Sequence, residues 1–117
     1  AFPPEARLRT GSEYRTVFRN AERVADRYFT LLAHHKTSGP SRLGLAIAKK
    51  QARRAVDRNR LKRLAREAFR HRRHNLRHVD IVLMVRHAAV DADNGALRTA
   101  LDRLFDRVRQ LPTRTGR

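Results

Sequence analysis

The sequence predicts one small domain of the α+β class, in which helices pack against a sheet. Three observations support this fold class. Residues 28–33 and 80–85 are rich in strand formers, and residues 43–47 alternate large with small side chains. Residues 53–73 and 94–110 carry apolar side chains at the spacing of amphipathic helices. With 117 residues, 40% of them hydrophobic, residues 1–117 can bury one modest core as a single domain.

The first predicted element is a short helix that begins at Thr10. Glu13 follows three residues later, which is the pattern of a capping box. Tyr14, Val17 and Phe18 then share one face of the helix, which is expected to end near residue 20.

The strand signals come next. Residues 24–25 permit a short first strand, and residues 28–33 form a stronger one. After a loop rich in turn residues, the small residues of the 43–47 strand, Gly44 among them, are expected to leave one sheet face open to close approach. Residues 80–85 have the continuous apolar character of a fully buried strand.

Two longer helices complete the predicted chain. The first spans about residues 53–73, and the last spans about residues 94–110 and is stopped by Pro112. Residues 110–117 are expected to form a flexible basic tail. The order of elements read from the residues is α-β-β-α-β-α, with the strand at 24–25 as an optional addition.

The longer of these helices carries most of the charge. Residues 49–73 contain twelve Lys or Arg and two acids, which is +10 of the formal net charge of +17. Arg58, Lys62, Arg66 and Arg70 follow at intervals of four, and like charges at this spacing destabilise an isolated helix by a few tenths of a kcal/mol per pair. With a pI near 11.9, this ridge indicates a polyanionic partner, and nucleic acid is the first interpretation.

Composition also narrows the class of protein. No stretch approaches the roughly 20 apolar residues that span a membrane, so no membrane partner is predicted. The N-terminal residues lack the apolar segment of a signal peptide, and the chain contains no cysteine. Both features favour a cytoplasmic protein.

The residues around the basic helix are more specific than a charge pattern. Lys49-Lys50 follow the strand 43–47, and the helix carries Arg58-Asn59-Arg60, then Lys62-Arg63, then Arg66-Glu67-Ala68-Phe69. This pattern closely resembles the bacterial ribonuclease P protein subunit. The resemblance implies an α-β-β-β-α-β-α sandwich of a four-stranded sheet with helices, a fold shared with a ribosomal-protein domain. It also implies a left-handed β-α-β crossover, whereas general rules predict the right-handed form in about 98% of cases.

The resemblance further implies a function. The family takes part in endonucleolytic removal of the 5′ leader from precursor tRNA, with a catalytic RNA subunit and Mg²⁺ held mainly by that RNA. The protein would be an accessory subunit with no catalytic residue, no metal of its own and no implied protein partner. The positions implied for binding the catalytic RNA subunit are Arg54, Arg58, Asn59, Arg60, Lys62, Arg63, Arg66 and Arg70. Those implied for the leader are Tyr14, Phe18, Lys49 and Lys50.

Plainer interpretations of the same residues stay open. The basic helix could be a solvated surface, and Tyr14 and Phe18 could pack in the core. Asn59 could be a helix-start residue. His71, His74 and His78 could share a helical face and bind a metal, although no carboxylate or cysteine completes a ligand set. Asp57 and Glu67 lie among arginines, which suits salt bridges better than acid catalysis.

Three other functions compete with the one that the resemblance implies. A structural RNA-binding protein of the ribosomal type would need the basic helix but no second, aromatic surface. A DNA-binding protein would place the basic helix in the major groove, usually after a helix joined by a short turn, which this sequence lacks. A membrane-surface helix would need bulkier apolar residues than the Ala and Leu present here.

Overall fold

The computed structural model describes residues 3–112, which form four helices and four strands after a short 3₁₀ turn at Pro4–Ala6. In chain order these are α1 (Gly11–Asn20), β1 (Glu22–Ala25), β2 (Phe29–His35), β3 (Arg42–Ala46), α2 (Ala55–Arg72), β4 (Val79–Val85), α3 (Ala88–Asp91) and α4 (Asn94–Gln110). A second 3₁₀ turn, Arg73–Asn75, follows α2 directly.

Side-chain caps mark where α1 and α4 begin. The predicted capping box is confirmed, because the Thr10 hydroxyl accepts a hydrogen bond from Glu13 N while Glu13 Oε1 accepts one from Thr10 N, both at 3.1 Å. At the start of α4, Asp93 Oδ1 accepts a hydrogen bond from Ala96 N at 2.8 Å. In both α1 and α4, the cap residue therefore accepts from one of the free backbone donors of the first turn.

The four strands form one sheet in the order β1-β2-β4-β3. The pairs β1–β2 and β2–β4 are antiparallel, whereas β3 lies parallel to β4 at the edge of the sheet, with Gly44 opposite Val82. Since α2 connects these two parallel strands, β3-α2-β4 is the crossover unit that the sequence predicted. Its left-handed course stays a prediction.

The sheet is covered by helices on both faces. On one face α2 and α4 bury the main core, in which the rings of Phe69 and Phe105 lie 5.8 Å apart. On the other face α1 buries Val17 against Val82, together with Leu8. The two faces correspond to alternate residues of β4, so the strand is apolar on both sides, as the continuous hydrophobic run predicted.

The predicted element boundaries hold within two residues, and α4 begins and ends where expected. The short strand at 24–25 forms as part of β1, which gives the α-β-β-β-α-β-α order, and α3 is a short helix that the sequence analysis did not anticipate. The tail predicted for 110–117 falls largely on residues 113–117, outside the described residues.

Candidate nucleic-acid interface

Helix α2 has a buried face and a charged face on opposite sides. Its buried residues are Leu61, Leu64, Ala65, Ala68 and Phe69. The side turned away from them carries Asn59, Arg63, Arg66 and Arg70, all of them exposed; we call these four residues the outward strip. Within residues 3–112 their side chains make no hydrogen bond or ion pair, so their donors are free for an external partner.

Arg60 departs from the expectation that its side chain faces a partner. Its guanidinium donates three hydrogen bonds within the chain: Nη2 to Val90 O at 2.9 Å, and Nη1 to Asn94 Oδ1 at 2.7 Å and to Ala92 O at 3.3 Å. Arg60 therefore joins α2 to α3 and to the first residue of α4. This internal role was not predicted, and it changes what a substitution of Arg60 would report.

The residues at the start of α2 are also partly engaged. Arg58 Nη1 donates to Ala52 O at 2.9 Å and to Arg53 O at 2.7 Å, which closes the turn before the helix. Arg54 pairs with Asp57 at 3.0 Å, and its hydrogen bond holds the pKa of Asp57 below the usual value. Asp57 is thus a salt-bridge partner, as its position among arginines predicted.

Tyr14 occupies the space that the glycine of β3 leaves on the sheet. A Cβ placed on Gly44 would lie 2.7 Å from ring carbons of Tyr14, so the ring lies directly on the backbone of β3. The Tyr14 hydroxyl also accepts a hydrogen bond from Leu45 N at 3.1 Å. The expectation that small residues admit a close approach here is met by a side chain of the same protein, and the sheet face is not open at this point.

Phe18 lies one helical turn beyond Tyr14 and is 50% exposed. This exposure contradicts the interpretation of Phe18 as a core residue. Next to α1, the same sheet face retains the partly buried apolar residues Leu32, Ala46 and Met84. Lys49 and Lys50 are exposed just past the C-terminal end of β3. The exposed ring of Phe18, these apolar residues beside α1 and the two lysines past β3 are the candidate leader-binding residues; we call them together the α1 cleft.

A network of charged residues, missed by the sequence analysis, fixes the start of α1 to the sheet. Asp80 is 3% exposed and accepts from Arg42 at 2.7 and 3.0 Å and from Lys36 at 2.9 Å. Arg42 also bonds Glu13 at 2.9 Å. The backbone N–H groups of Arg9 and Thr10, with Arg42 nearby, hold the pKa of Glu13 below its usual value. The sequence signal that could have revealed this network is Asp80, a charged residue in an otherwise apolar strand.

The three histidines considered as metal ligands do not share a helical face. Helix α2 ends at Arg72, His74 lies in the following 3₁₀ turn, and His78 Nδ1 bonds Gly39 O at 2.6 Å. Within residues 3–112, no three His, Cys, Asp or Glu side chains cluster closely enough to hold a metal ion.

Comparison with known proteins adds an independent line of evidence. The family model for ribonuclease P matches residues 2–109. The ribonuclease P protein component of Thioalkalivibrio sulfidiphilus is 47% identical over 107 residues, which is 92% of this chain and 89% of that protein. The corresponding protein of Yersinia enterocolitica is 44% identical over 113 residues, covering 96% and 95%.

Solved structures agree on the fold. The ribonuclease P protein of Staphylococcus aureus matches with a TM-score of 0.80 at 24% identity, covering 86% of this chain and 93% of that one. That of Thermotoga maritima, solved in complex with 1-(4-fluorophenyl)-2-thiourea, matches with a TM-score of 0.77 at 26% identity, covering 91% and 100%. Among the described residues, no helix is long and apolar enough to cross a membrane.

The fold and the exposed basic side of α2 define a small α+β protein with a surface suited to a polyanion. The chain belongs to the ribonuclease P protein family. The family supplies the protein component of a ribonucleoprotein that processes tRNA.

Proposed function

We propose that this protein binds the catalytic RNA of ribonuclease P through α2 and the 5′ leader of precursor tRNA through the α1 cleft. In this way it assists the endonucleolytic removal of the leader. The outward strip is the observation that carries the proposal, because three exposed arginines and Asn59 lie in line without internal partners in the described part of the chain. Arginine suits this role since its planar fork can grip a phosphate with two donors.

The roles of the basic residues differ in this proposal. The outward strip and Lys62 contact the RNA directly, since their side chains have no internal partner within residues 3–112. Arg54, Arg58 and Arg60 instead make hydrogen bonds within the protein that hold the start of α2 and its contact with α3. Their positive charges still add to the field that attracts RNA.

The α1 cleft suits a single strand of RNA. Single strands bind where bases can stack on aromatic rings inside a positively charged groove. Phe18 offers an exposed ring, and Lys49 and Lys50 supply positive charge past the end of β3. Tyr14 is held on β3 by its hydroxyl and so supports the position of the helix that carries Phe18.

The protein is not the catalyst in this proposal. We assign the Mg²⁺ of the reaction to the RNA, as the family resemblance implies. The absence of cysteine fits a reducing compartment, and we place the complex in the bacterial cytoplasm.

Cleavage of precursor tRNA at low Mg²⁺ by a bacterial ribonuclease P RNA, with and without this protein, tests the proposal. We expect the protein to stimulate cleavage, because it neutralises RNA phosphates and holds the leader. Binding to the RNA without any stimulation would instead support a purely structural RNA-binding role. No binding and no stimulation would remove the proposal altogether.

A further inference from the structure

A cavity of about 480 Å³ lies at the C-terminal end of α2, between the β2–β3 loop and the segment that leads into β4. We call it the end cavity. Five of its lining residues carry basic side chains: Arg70, Arg73, His74, Arg77 and His78. None of its lining residues within the described range 3–112 is acidic. This concentration of donors lies outside the residues that the sequence analysis assigned to RNA, apart from Arg70.

The walls of the end cavity are fixed by hydrogen bonds. Ser41 is 4% exposed, and its hydroxyl donates to Leu76 O at 2.7 Å and accepts from Val79 N at 3.1 Å. His78 Nδ1 donates to Gly39 O at 2.6 Å and has a left-handed backbone, with φ of 54°. A non-glycine residue rarely adopts this conformation and persists in it only where its surroundings hold it. The loop and the segment before β4 therefore form one preformed wall.

The chemistry of the end cavity fits one nucleotide. Its volume falls in the range of roughly 300–1,000 Å³ found for small-ligand sites. Pro3, Pro40 and Leu76 supply apolar surface for a sugar or base, and arginine planes can stack on bases. The C-terminal end of a helix carries partial negative charge and by itself disfavours a phosphate. Several cations at this helix end offset that effect and make the site attractive to an anion.

Continuity with α2 identifies the RNA concerned. Arg70 belongs both to the outward strip and to the lining of the end cavity. The strip rises along the helix for about 16 Å from Asn59 to Arg70, so RNA that lies on it reaches the cavity at its end. The α1 cleft is on the opposite face of the sheet from α2. The leader is therefore not positioned to enter the end cavity.

We propose that the end cavity binds one nucleotide of the RNA component, with its phosphate on Arg73 and Arg77 and its base or sugar against Leu76 and Pro40. This extends the RNA interface around the end of α2, and it rests on the proposed function. Arg77 is the informative position, because its side chain is exposed and has no internal partner among the described residues. Arg73 Nε donates to Ser41 O at 3.3 Å and thus also supports the cavity wall.

Binding of the full chain to a bacterial ribonuclease P RNA tests this inference in three matched variants. Arg77→Ala should weaken binding about tenfold, the value of one charge-assisted contact, and flatten the salt dependence by about one phosphate. Arg103→Ala removes the same charge from an exposed position on α4, beside Asp26 and Tyr28, and should change affinity less than about twofold. Arg63→Ala reports on the outward strip.

The three variants separate the two proposals. If Arg77→Ala changes the affinity for the RNA no more than Arg103→Ala does, while Arg63→Ala weakens binding, the nucleotide site in the end cavity is ruled out and the proposed function stands. If the unaltered chain fails to bind, or Arg63→Ala also has no effect, the proposed function fails and this inference fails with it. Melting temperatures should stay unchanged for Arg77→Ala, since the residue is exposed.

A second measurement maps the contact directly. The chain has no cysteine, so Ser38→Cys beside the end cavity and Arg103→Cys on α4 each create one site for a tethered iron chelate. Cleavage of the RNA component from position 38 and not from position 103 supports the inference. Equal cleavage from both positions, or cleavage of the precursor leader alone from position 38, contradicts it.

Discussion

Replacing Gly44 by alanine tests the contact that positions α1 on the sheet. The new Cβ would lie 2.7–2.8 Å from two ring carbons and the hydroxyl oxygen of Tyr14, well inside the 3.4–4 Å of an ordinary contact. The neighbouring atoms belong to a ring held by its own hydrogen bond to Leu45 N at 3.1 Å. Gly44→Ala must therefore displace either Tyr14 or the edge strand β3.

The size of the effect follows from two opposing contributions. Overpacking of a fitted contact costs about 1–3 kcal/mol. A strand alanine gains back about 0.5–1 kcal/mol over glycine, because the unfolded chain is less free. The expected net loss is about 1–2 kcal/mol of unfolding free energy, or roughly 4–8 °C in melting temperature for a domain of this size.

A double-mutant cycle isolates the contact. Thermal unfolding is measured for the unaltered protein, Gly44→Ala, Tyr14→Ala and the double variant. Without Tyr14, the three atoms nearest to an alanine Cβ at position 44 are absent, so Gly44→Ala should cost clearly less than it does in the unaltered protein. The matched control is Gly95→Ala in α4, where a Cβ meets only Asp93 Oδ1 at 3.4 Å and alanine favours the helix.

The functional readout uses the same variants. Gly44→Ala should weaken precursor tRNA binding by the assembled ribonucleoprotein more than mature tRNA binding, because it disturbs the helix that carries Phe18. If the two substitutions add within about 0.3–0.5 kcal/mol, the Tyr14 ring does not lie on Gly44 and the reasoning is refuted.

Three further predictions concern the basic helix, the α1 cleft and the charged network. Arg63→Ala should flatten the slope of the logarithm of the RNA-binding constant against log salt by roughly 0.7–0.9 without changing the melting temperature. Arg60→Ala should instead lower the melting temperature because it breaks three internal bonds, and the reverse pattern would contradict these two roles. Phe18→Ala should change the free energy of unfolding by no more than about 0.5 kcal/mol, since the ring is 50% exposed. It should weaken precursor tRNA binding relative to mature tRNA binding by about 1–3 kcal/mol per stacked base, and equal losses for both tRNAs would exclude a leader contact. The pKa of Glu13 in the folded protein lies below its ordinary 4.5, so its contribution to stability is present above that pH and is lost as pH falls through the lowered value. Acid unfolding of Glu13→Gln should lack this part of the pH dependence. Identical acid unfolding profiles for the variant and the unaltered protein would refute the role of Glu13.

Some features of this protein are determined by the sequence alone. The capping box at Thr10 depends on residues three apart, and the separation of a buried side from a basic side of α2 depends on the 3.6-residue period of a helix. Of the predicted ridge, Arg66 and Arg70 lie in the outward strip, whereas Arg58 is bonded internally. Such patterns involve neighbours in the chain, so they survive in any arrangement of the remaining elements. The family pattern in β3 and α2 added the implied function and the strand at 24–25, which the residues alone had left optional.

Other features were decided only by the tertiary structure. Arg60 and Arg63 are both arginines in the same basic run of α2, and the sequence does not distinguish them. In the structure, the Arg60 side chain donates to acceptors at Val90, Ala92 and Asn94, whereas Arg63 is exposed. Those acceptors come from about thirty residues along the chain, and no local period encodes a contact at that separation.

The same reason applies to the sheet. Gly44 alone predicts that something can approach β3, but the crossing of α1 decides that Tyr14 fills the space. The ion pairs of Asp80 with Arg42 and Lys36 exist because the register of β3 and β4 brings an aspartate and an arginine side by side. Hydrophobic periodicity fixes which residues are buried locally, whereas the partners of buried or anchored polar groups depend on which elements meet in space.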